Sequence, residues 1–421
     1  MEGATIMKCN RDVLVVSCAV GVGAAAGLVP AQAHSSGAIF VQPGQSIQAA
    51  IDQASPGDTI LIMPGVYQVC ADSTNGLVID KSGISLVGLS TPTERVVVEK
   101  CDTQRNGIVV VPSEHKDCMG CHESMAPPFA LKPGIDDITG CAEPALHDVE
   151  IRGITVRNFE NNGLFTECVD GFRIVDVHAE GNPNYGIFPT LSRNGLIARS
   201  FATGAVDSGI WVETSENVRV THNLVEGNTL GLEVSNSDDV ELTYNVVRNN
   251  SIGIAAFLLP EIYDIRPGAK RIDVRHNLVY DNNKPNTVPE NHPLRPFPSG
   301  QGILYIGVDA SEISGNLVVG NDFTGIVLAD FDVVAPGEPS CGDVCGAFQE
   351  DQDARDNHVF SNLATGNGLH PGSPGENPFF FVASDLALLS PSPTTTNCFE
   401  KNVFDTFFWL PFGPTAPPDC D

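Results

Sequence analysis

A glycine followed by isoleucine or leucine returns along this chain at an almost constant interval. Successive spacings are 56, 23, 23, 22, 22, 49 and 23 residues, and the two long ones equal one interval of 23 plus insertions of 33 and 26 residues. A repeat of about 20 to 50 residues indicates a solenoid, in which each repeat packs on its neighbours. We therefore expect one coil every 22 to 23 residues. The marker glycines are Gly107, Gly163, Gly186, Gly209, Gly231, Gly253, Gly302 and Gly325.

Each repeat reads as short strands without a helix. Val218 and Val220 alternate with Arg219 and Thr221, which is the two-residue period of a β-strand. Strands stacked in register form parallel sheets, so we expect an all-β, single-stranded parallel β-helix of about nine to eleven coils. An asparagine closes the second strand of successive units, and these side chains should form an inward ladder that satisfies buried turn groups. They are Asn223, Asn245, Asn277, Asn316 and Asn362.

The charge balance excludes some classes of partner. The chain has 23 Lys+Arg against 52 Asp+Glu, a net charge of −29. Nucleic acids and anionic membrane surfaces are bound through Lys and Arg, so neither is expected as a partner. A cation or a neutral or basic polymer suits such a surface better.

The N-terminus predicts export. Residues 1–33 contain a basic start (Lys8, Arg11), an apolar run of about 16 residues and the cleavage pattern Ala31-Gln-Ala33. That run is too short for a membrane span. We therefore expect a periplasmic or secreted monomer without a membrane span. Ten of the 12 cysteines follow the signal, and an even number in an exported protein indicates disulfides. Cys341 with Cys345 and Cys398 with Cys420 are possible pairs, but the sequence does not fix the connectivity.

Residues Ile39–Tyr67 resemble the N-terminal part of right-handed parallel β-helix proteins of the pectate-lyase-like superfamily. There a strand and an amphipathic helix, here about Ser46–Ala54, cap the open end of the solenoid. The repeats also resemble the carbohydrate-binding and sugar-hydrolase repeats of that superfamily and the periplasmic β-helix proteins of nitrous oxide reductase maturation. The resemblance extends over roughly residues 38–365. It implies a right-handed solenoid directed at a polysaccharide or another extracellular polymer and, for an enzyme, a polysaccharide lyase or glycoside hydrolase.

Insertions and a tail complete the expected domain organisation. The solenoid should occupy residues 34–365, followed by a Pro-rich C-terminal cap or tail at 366–421. Most insertions follow the Gly-Ile strand and so leave the solenoid at one corner, where loops form the wall of a groove. We expect insertions at 112–146, 257–271, 284–299 and 330–352.

An aromatic stripe is expected along that groove. After each marker glycine the first and third residues should point into the core and the second and fourth outward. Phe165, Phe188 and Trp211 are second residues, with Glu167 beside them and Tyr185 just before the strand. Aromatic faces flanked by carboxylates bind sugar rings, which makes these five residues candidates for substrate binding. The alternative is an aromatic stack covered by a loop.

Two carboxylates are candidates for catalysis. Glu213 and Glu233 lie on adjacent coils at fourth and second positions, about 8 Å apart by strand geometry. That separation falls in the range of inverting glycosidases. Tyr185–Leu191 also resembles the Tyr-Gly-Phe-Asp-Pro-His-Asp motif of mannuronan epimerases, but Phe188, Thr190 and Leu191 replace its acid and base groups. Epimerase activity is therefore not implied.

A third candidate site contains cysteine. Cys118-Met-Gly-Cys121-His122 matches the pattern for covalent attachment of haem c. Disulfides with Cys101, Cys141 or Cys168, and a different metal ion held by Cys118, Cys121 and His122, are the alternatives. A redox or metal-linked periplasmic accessory protein is accordingly the second functional hypothesis, and a structural surface solenoid is the third. The acidic run Glu350–Asp356 is a candidate for Ca²⁺.

Overall fold

The computed structural model describes residues 37–113, 141, 146–335, 345–373, 377, 379–392 and 395–420. Their strands form three long sheets. Consecutive strands along the chain belong to the three sheets in turn, and neighbouring strands within each sheet run parallel. The expected single-stranded parallel β-helix is confirmed.

The sheets have 12, 11 and 11 strands, and the third is called the Gly-Ile sheet because it contains the marker glycines. Sheet 1 consists of Ala38–Val41, Thr59–Ile62, Ser85–Gly88, Leu146–Arg152, Val169–Val175, Arg193–Ala198, Glu216–Thr221, Asp238–Thr243, Lys270–Arg275, Glu312–Ser314, His358–Phe360 and Cys398–Glu400. Sheet 2 consists of Gly65–Val69, Val96–Lys100, Ile154–Arg157, His178–Glu180, Phe201–Thr203, Leu224–Glu226, Val246–Arg248, Leu278–Tyr280, Leu317–Val319, Leu363–Thr365 and Val403–Phe404. The Gly-Ile sheet consists of Asn75–Ile79, Asn106–Val110, Leu164–Glu167, Ile187–Thr190, Ser208–Glu213, Leu230–Ser235, Ile252–Phe257, Gln301–Ile306, Thr324–Ala329, Ser384–Leu389 and Phe407–Leu410.

A short helix packs at the N-terminal end of the solenoid, as expected. It spans Ile47–Gln53, and the Ser46 hydroxyl caps it by accepting a hydrogen bond from the Ala49 N–H at 3.1 Å. Two further α-helices and two 3₁₀ turns lie in the insertions and the C-terminal region. They are Phe331–Val334, Cys345–Asp351, Pro260–Ile262 and Phe380–Val382. None of the helices in the described ranges is long and apolar enough to cross a membrane.

The asparagine ladder forms as predicted. The Asn223 amide donates to the Asn245 side-chain oxygen at 3.0 Å, and the same contact continues through Asn277, Asn316 and Asn362 at 2.9 to 3.0 Å. A second ladder at the corner between sheet 2 and the Gly-Ile sheet was not anticipated. It contains Asn228, Asn250, Asn282, Asn321 and Asn367, and it ends on the carboxylate of Asp385.

The second ladder explains the marker glycines. A Cβ atom at Gly209 would lie 2.6 Å from Asn228 Nδ2 and 2.5 Å from a methyl group of Val225. Real atoms do not approach so closely, so only glycine fits where the strand passes the ladder. The same close approach to a ladder amide occurs at Gly231, Gly253, Gly302 and Gly325, so from Gly209 onward the marker glycine is required by its contact with the ladder.

The four predicted insertions fall between strands of different sheets. Three lie between the Gly-Ile sheet and sheet 1, after Val110, Phe257 and Ala329, and the one at 284–299 lies between sheet 2 and the Gly-Ile sheet. Residues 366–421, expected to be a cap or tail, add four strands to the same three sheets.

Three disulfides join described cysteines. Cys398 pairs with Cys420, as the sequence suggested, and fastens the C-terminal end. Cys70 pairs with Cys101, and Cys141 pairs with Cys168. The suggested Cys341–Cys345 pair lies outside the residues whose side chains the structure describes.

Replacing Asn250 with alanine tests the second ladder. The side chain is fully buried, and its loss leaves the Asn228 N–H, the Asn228 amide and the Val225 carbonyl without their partner. We expect Asn250→Ala to lower the free energy of unfolding, measured in urea titrations, by about 1 to 3 kcal/mol for each buried polar group that loses this hydrogen bond. Asn161→Ala, at a half-buried asparagine outside both ladders, is the control and should cost far less. Equal losses in the two variants would contradict the ladder's role.

Candidate functional site

The aromatic residues named from the sequence do lie together on the outer face of the Gly-Ile sheet. The ring of Phe188 is 5.3 Å from Phe165 and 4.5 Å from Trp211, with the latter pair nearly parallel at 6°. Tyr185 packs 4.7 Å from Trp211. Glu167 lies beside the stripe, on the same strand as Phe165.

This stripe is covered. Phe165, Phe188 and Trp211 are 2%, 1% and 7% exposed, and they form one apolar cluster with Tyr185, against which Leu259 of an insertion packs. Glu167 is buried as well. The structure thus shows the loop-covered stack that was the alternative, and a sugar would reach these rings only after the cover moved.

Glu233 lies next to the stripe and is surrounded by hydrogen-bonding groups. It pairs in register with Trp211 and is 5% exposed. Ser235 donates to Glu233 Oε1 at 3.2 Å and itself accepts from the Trp211 indole at 3.1 Å. Glu233 Oε2 makes a short hydrogen bond with the Ser208 hydroxyl.

The Ser208 hydroxyl implies a proton on one of its two carboxyl neighbours. It contacts Glu233 Oε2 and, at 2.9 Å, Asp207 Oδ1, but it carries a single hydrogen. Both contacts are hydrogen bonds only when one of the two carboxyls is protonated and donates to Ser208, which in turn donates to the other. Burial, followed by the negative charge of Asp207, raises the pKa of Glu233 well above its usual value, and Glu213 adds to the increase.

Two further carboxylates complete the site. Glu213 is 1% exposed, sits diagonally across from Glu233 on the adjacent strand and accepts a hydrogen bond from Thr190 at 2.6 Å. Glu261, on the insertion that follows Phe257, is exposed, yet crowding by protein atoms and then repulsion from Glu213 raise its pKa. Such a group of carboxyls with unequal proton affinities is the arrangement that acid–base catalysis requires.

A second insertion is held beside the candidate site by a histidine. His292, on the insertion 284–299, lies with Nε2 3.3 Å from Asp207 Oδ2, while its Nδ1 accepts from the Leu294 N–H at 3.2 Å. The hydrogen bond with Asp207 raises the pKa of His292. A continuous chain of contacts therefore joins His292, Asp207, Ser208 and Glu233.

Comparison with known proteins settles the fold. Residues 134–259 match the family model for the right-handed β-helix region. The chain is a right-handed parallel β-helix protein. The predicted right-handed parallel β-helix is thereby confirmed as the fold. A search of curated protein sequences finds no match to this chain.

Solved β-helix structures resemble nearly the whole chain at low sequence identity. The A-module of Azotobacter vinelandii mannuronan C-5 epimerase AlgE6 has 14% identity and a TM-score of 0.54, covering 88% of this chain and 92% of its own. DFA-IIIase from Arthrobacter chlorophenolicus A6 has 12% identity and a TM-score of 0.50, with 89% and 80% covered. The tailspike protein of E. coli bacteriophage HK620, solved as a double mutant with a pentasaccharide, has 12% identity and a TM-score of 0.51, with 88% and 64% covered.

Sequence reasoning named Glu213 and Glu233 but missed Asp207, Ser208, Glu261 and His292. Asp207 and Ser208 directly precede a marker glycine, so their position at the start of the strand could be predicted from the sequence. Glu261 and His292 lie in insertions without a period, and nothing local places them beside Glu233.

The cysteine motif falls outside the described residues. Cys118, Cys121 and His122 are therefore not placed, and haem or metal binding there stays a prediction. Cys101, Cys141 and Cys168, the expected disulfide partners, are paired elsewhere, which corrects that alternative.

The acidic run at 350–356 contributes one residue to a possible cation site. Carboxylate oxygens of Asp330, Asp332 and Asp353 lie within 4.8 Å of one another. Burial raises the pKa of Asp330 to about 6. Oxygen donors of this kind suit Ca²⁺, although Asp330 Oδ1 already accepts a hydrogen bond from the Ala354 N–H.

A groove also lies on sheet 1, away from Glu233. It has a volume of about 920 Å³ and runs along the outer face of sheet 1. Its arginines are paired with carboxylates, as in the contacts of Arg271 with Asp239 at 2.6 Å and Arg193 with Asp170 at 3.0 Å. We place the candidate site at Glu233 because that carboxyl is buried beside Asp207 and its pKa is raised.

The contact between His292 and Asp207 should hold its insertion in a pH-dependent way. The pKa of His292 is raised in the folded protein above its ordinary value of 6.5, so the stabilisation is complete below about pH 6.5 and is lost as the pH rises through the folded-state pKa. We expect His292→Gln to increase hydrogen–deuterium exchange in residues 284–299 at about pH 5 and to match the wild type at about pH 9. His147→Gln, at an exposed histidine of sheet 1, is the control. Identical exchange in His292→Gln and wild type at both pH values would contradict the contact's role.

Proposed function

We propose that this chain is an exported protein directed at carbohydrate, which binds a polysaccharide over the Gly-Ile sheet and cleaves its glycosidic bonds with Glu233 as the proton donor. The observation that carries the proposal is the Ser208 hydroxyl between Asp207 and Glu233, which can bond to both only when one of them is protonated; burial, which raises the pKa of Glu233, favours the proton on Glu233. The sugar-bound state of the HK620 tailspike and the epimerase fold of AlgE6 support carbohydrate as the class of ligand.

The division of labour follows from the environments of the two carboxyl groups. Burial and the negative charge of Asp207 raise the pKa of Glu233 well above its usual value, so Glu233 is the carboxyl that can pass a proton to the glycosidic oxygen as the C–O bond breaks. Glu213 takes a proton from the water that attacks the anomeric carbon, while the hydroxide remains on the sugar. This is the chemistry of an inverting glycoside hydrolase.

The surrounding charge selects against anionic sugars. Asp207 and Glu213 lie beside Glu233, with Glu261 near Glu213, and a lyase or epimerase instead needs a cation to neutralise the uronate carboxylate. A neutral or basic polysaccharide meets no such repulsion. The missing acid and base groups at Phe188, Thr190 and Leu191 agree with this choice.

Access to Glu233 requires movement of the cover. With Glu233 only 5% exposed, a sugar chain reaches it when the insertion carrying His292 lifts away from Asp207. Enzymes commonly enclose their sites under loops that open for substrate. Contact of a sugar with Trp211 and Tyr185 would also require the insertion that carries Leu259 to move, because Leu259 packs on the stripe. Export agrees with the three disulfides.

Glu233→Gln tests the catalytic role directly. Glutamine keeps the shape and hydrogen bonds but cannot give up a proton, so we expect the release of reducing ends from a neutral polysaccharide to fall by about 10²- to 10⁴-fold. In the wild type this activity should decline as the pH rises through the raised pKa of Glu233, since the acid form is needed.

The matched control is Glu226→Gln, on the outer face of sheet 2, which should cleave like the wild type. Glu233→Gln should also unfold at a higher temperature than the wild type at alkaline pH, because it removes the cost of ionising a buried carboxyl. Full turnover by Glu233→Gln would refute the catalytic part. No binding by the wild type across neutral, basic and acidic polysaccharides would refute the carbohydrate assignment itself.

A further inference from the structure

An apolar cavity lies on the outer face of the Gly-Ile sheet beyond Glu233. Its wall includes Leu304 and Val327, which continue the row of Glu233 two and three coils further on, about 10 and 14 Å away by strand spacing. Its volume is about 350 Å³. An apolar cavity of about 150 Å³ already binds benzene, so this one has room for a larger ring system.

The lining favours an aromatic occupant. Phe297, Phe323 and Phe379 face the cavity, together with prolines of the insertion 284–299. Aromatic walls give specific offset or edge-to-face contacts to a planar ring, beyond simple area burial. An alkyl chain would gain area burial alone.

One buried polar group in the wall lacks a partner. Thr324 is fully buried, lines the cavity, and its Oγ1 makes no hydrogen bond. A buried hydroxyl without a partner is costly, and native proteins rarely retain one without a role. An oxygen atom carried by the ring would satisfy it.

A polar groove adjoins the cavity. It has a volume of about 590 Å³ and shares the wall Pro296–Pro298 with the apolar cavity. Asn283, Arg295, Asp322 and His370 line it. An apolar compartment next to one rich in amide and charged groups matches a ligand with one aromatic half and one hydroxyl-rich half.

We propose that these two compartments form a binding site for an aryl-substituted sugar. The aromatic ring occupies the apolar cavity with an oxygen on Thr324, and the sugar occupies the polar groove. The identity of the polar half rests on the proposed carbohydrate function, whereas the aromatic half rests on the cavity alone. The site lies on the same sheet as Glu233, so an aryl group in it would select polysaccharides that carry such substituents.

Three probes separate the halves of the site in titrations with the full-length protein. They are 2-naphthyl β-D-glucoside, 2-naphthol and methyl β-D-glucoside. We expect 2-naphthol to bind, 2-naphthyl β-D-glucoside to bind about tenfold or more tightly than 2-naphthol, and methyl β-D-glucoside to bind far more weakly than either. Failure of 2-naphthol to bind would overturn the proposal, and tighter binding of 1-octanol than of 2-naphthol would overturn the aromatic assignment.

Variants locate the binding. Thr324→Val removes the hydroxyl at nearly constant shape, so it should weaken 2-naphthol by about 2- to 10-fold while raising the melting temperature of the free protein. Val327→Phe fills the cavity and should abolish binding. If Val327→Phe does not fold, Val382→Phe, from the 3₁₀ turn on another wall, takes its place. Val246→Phe on sheet 2 is the control. Wild-type affinity in a folded cavity-filling variant would refute the location.

The outcomes also separate this site from the proposed catalysis. Naphthol binding by a wild-type protein that cleaves no polysaccharide would leave the aromatic site standing and reject the hydrolase. Cleavage lost in Glu233→Gln, with no naphthol binding by the wild type, would do the reverse.

Discussion

The structure depends on buried side-chain amides that connect each coil to the next. An amide is both donor and acceptor, so one asparagine at the same corner of every coil can accept from the coil before and donate to the coil after. This contact holds only when coils stack in register at strand spacing. It also brings the backbone so close at Gly209 and its equivalents that no side chain fits there. The constant interval in the sequence follows from that contact.

Much of the fold could be predicted for the same reason. The inward direction of Val218 and Val220, the ladder through Asn223 and the helix after Ser46 each follow from local spacing, and the structure has them all. The second ladder was missed because Asn228 stands only five residues after Asn223, where the sequence reads as a loop. The marker glycines from Gly209 onward are nevertheless tied to it, because a Cβ atom at each of them would clash with one of these amides.

The candidate site was predictable only in part. The position of Trp211, Glu213 and Glu233 on one face follows from the two-residue period, but their burial depends on insertions that have no period. The contact between His292 and Asp207 joins residues from different coils through such an insertion. The insertions give the outer face of the Gly-Ile sheet a second, smaller apolar core outside the solenoid. The carboxyl groups at the edge of that core differ in how strongly they hold protons.

The ladder also has a direction. Each amide passes its donor hydrogen toward the C-terminus, and the second ladder stops at Asp385. Asp385 is not at an asparagine position, because the register of its strand places it opposite the marker glycine Gly325. Its carboxyl receives from Asn367 with one oxygen and from Thr406 and the backbone of Asp405 with the other. A single side chain therefore joins the last amide of the ladder to the final coil, which is held by a different contact from the one that connects the earlier coils.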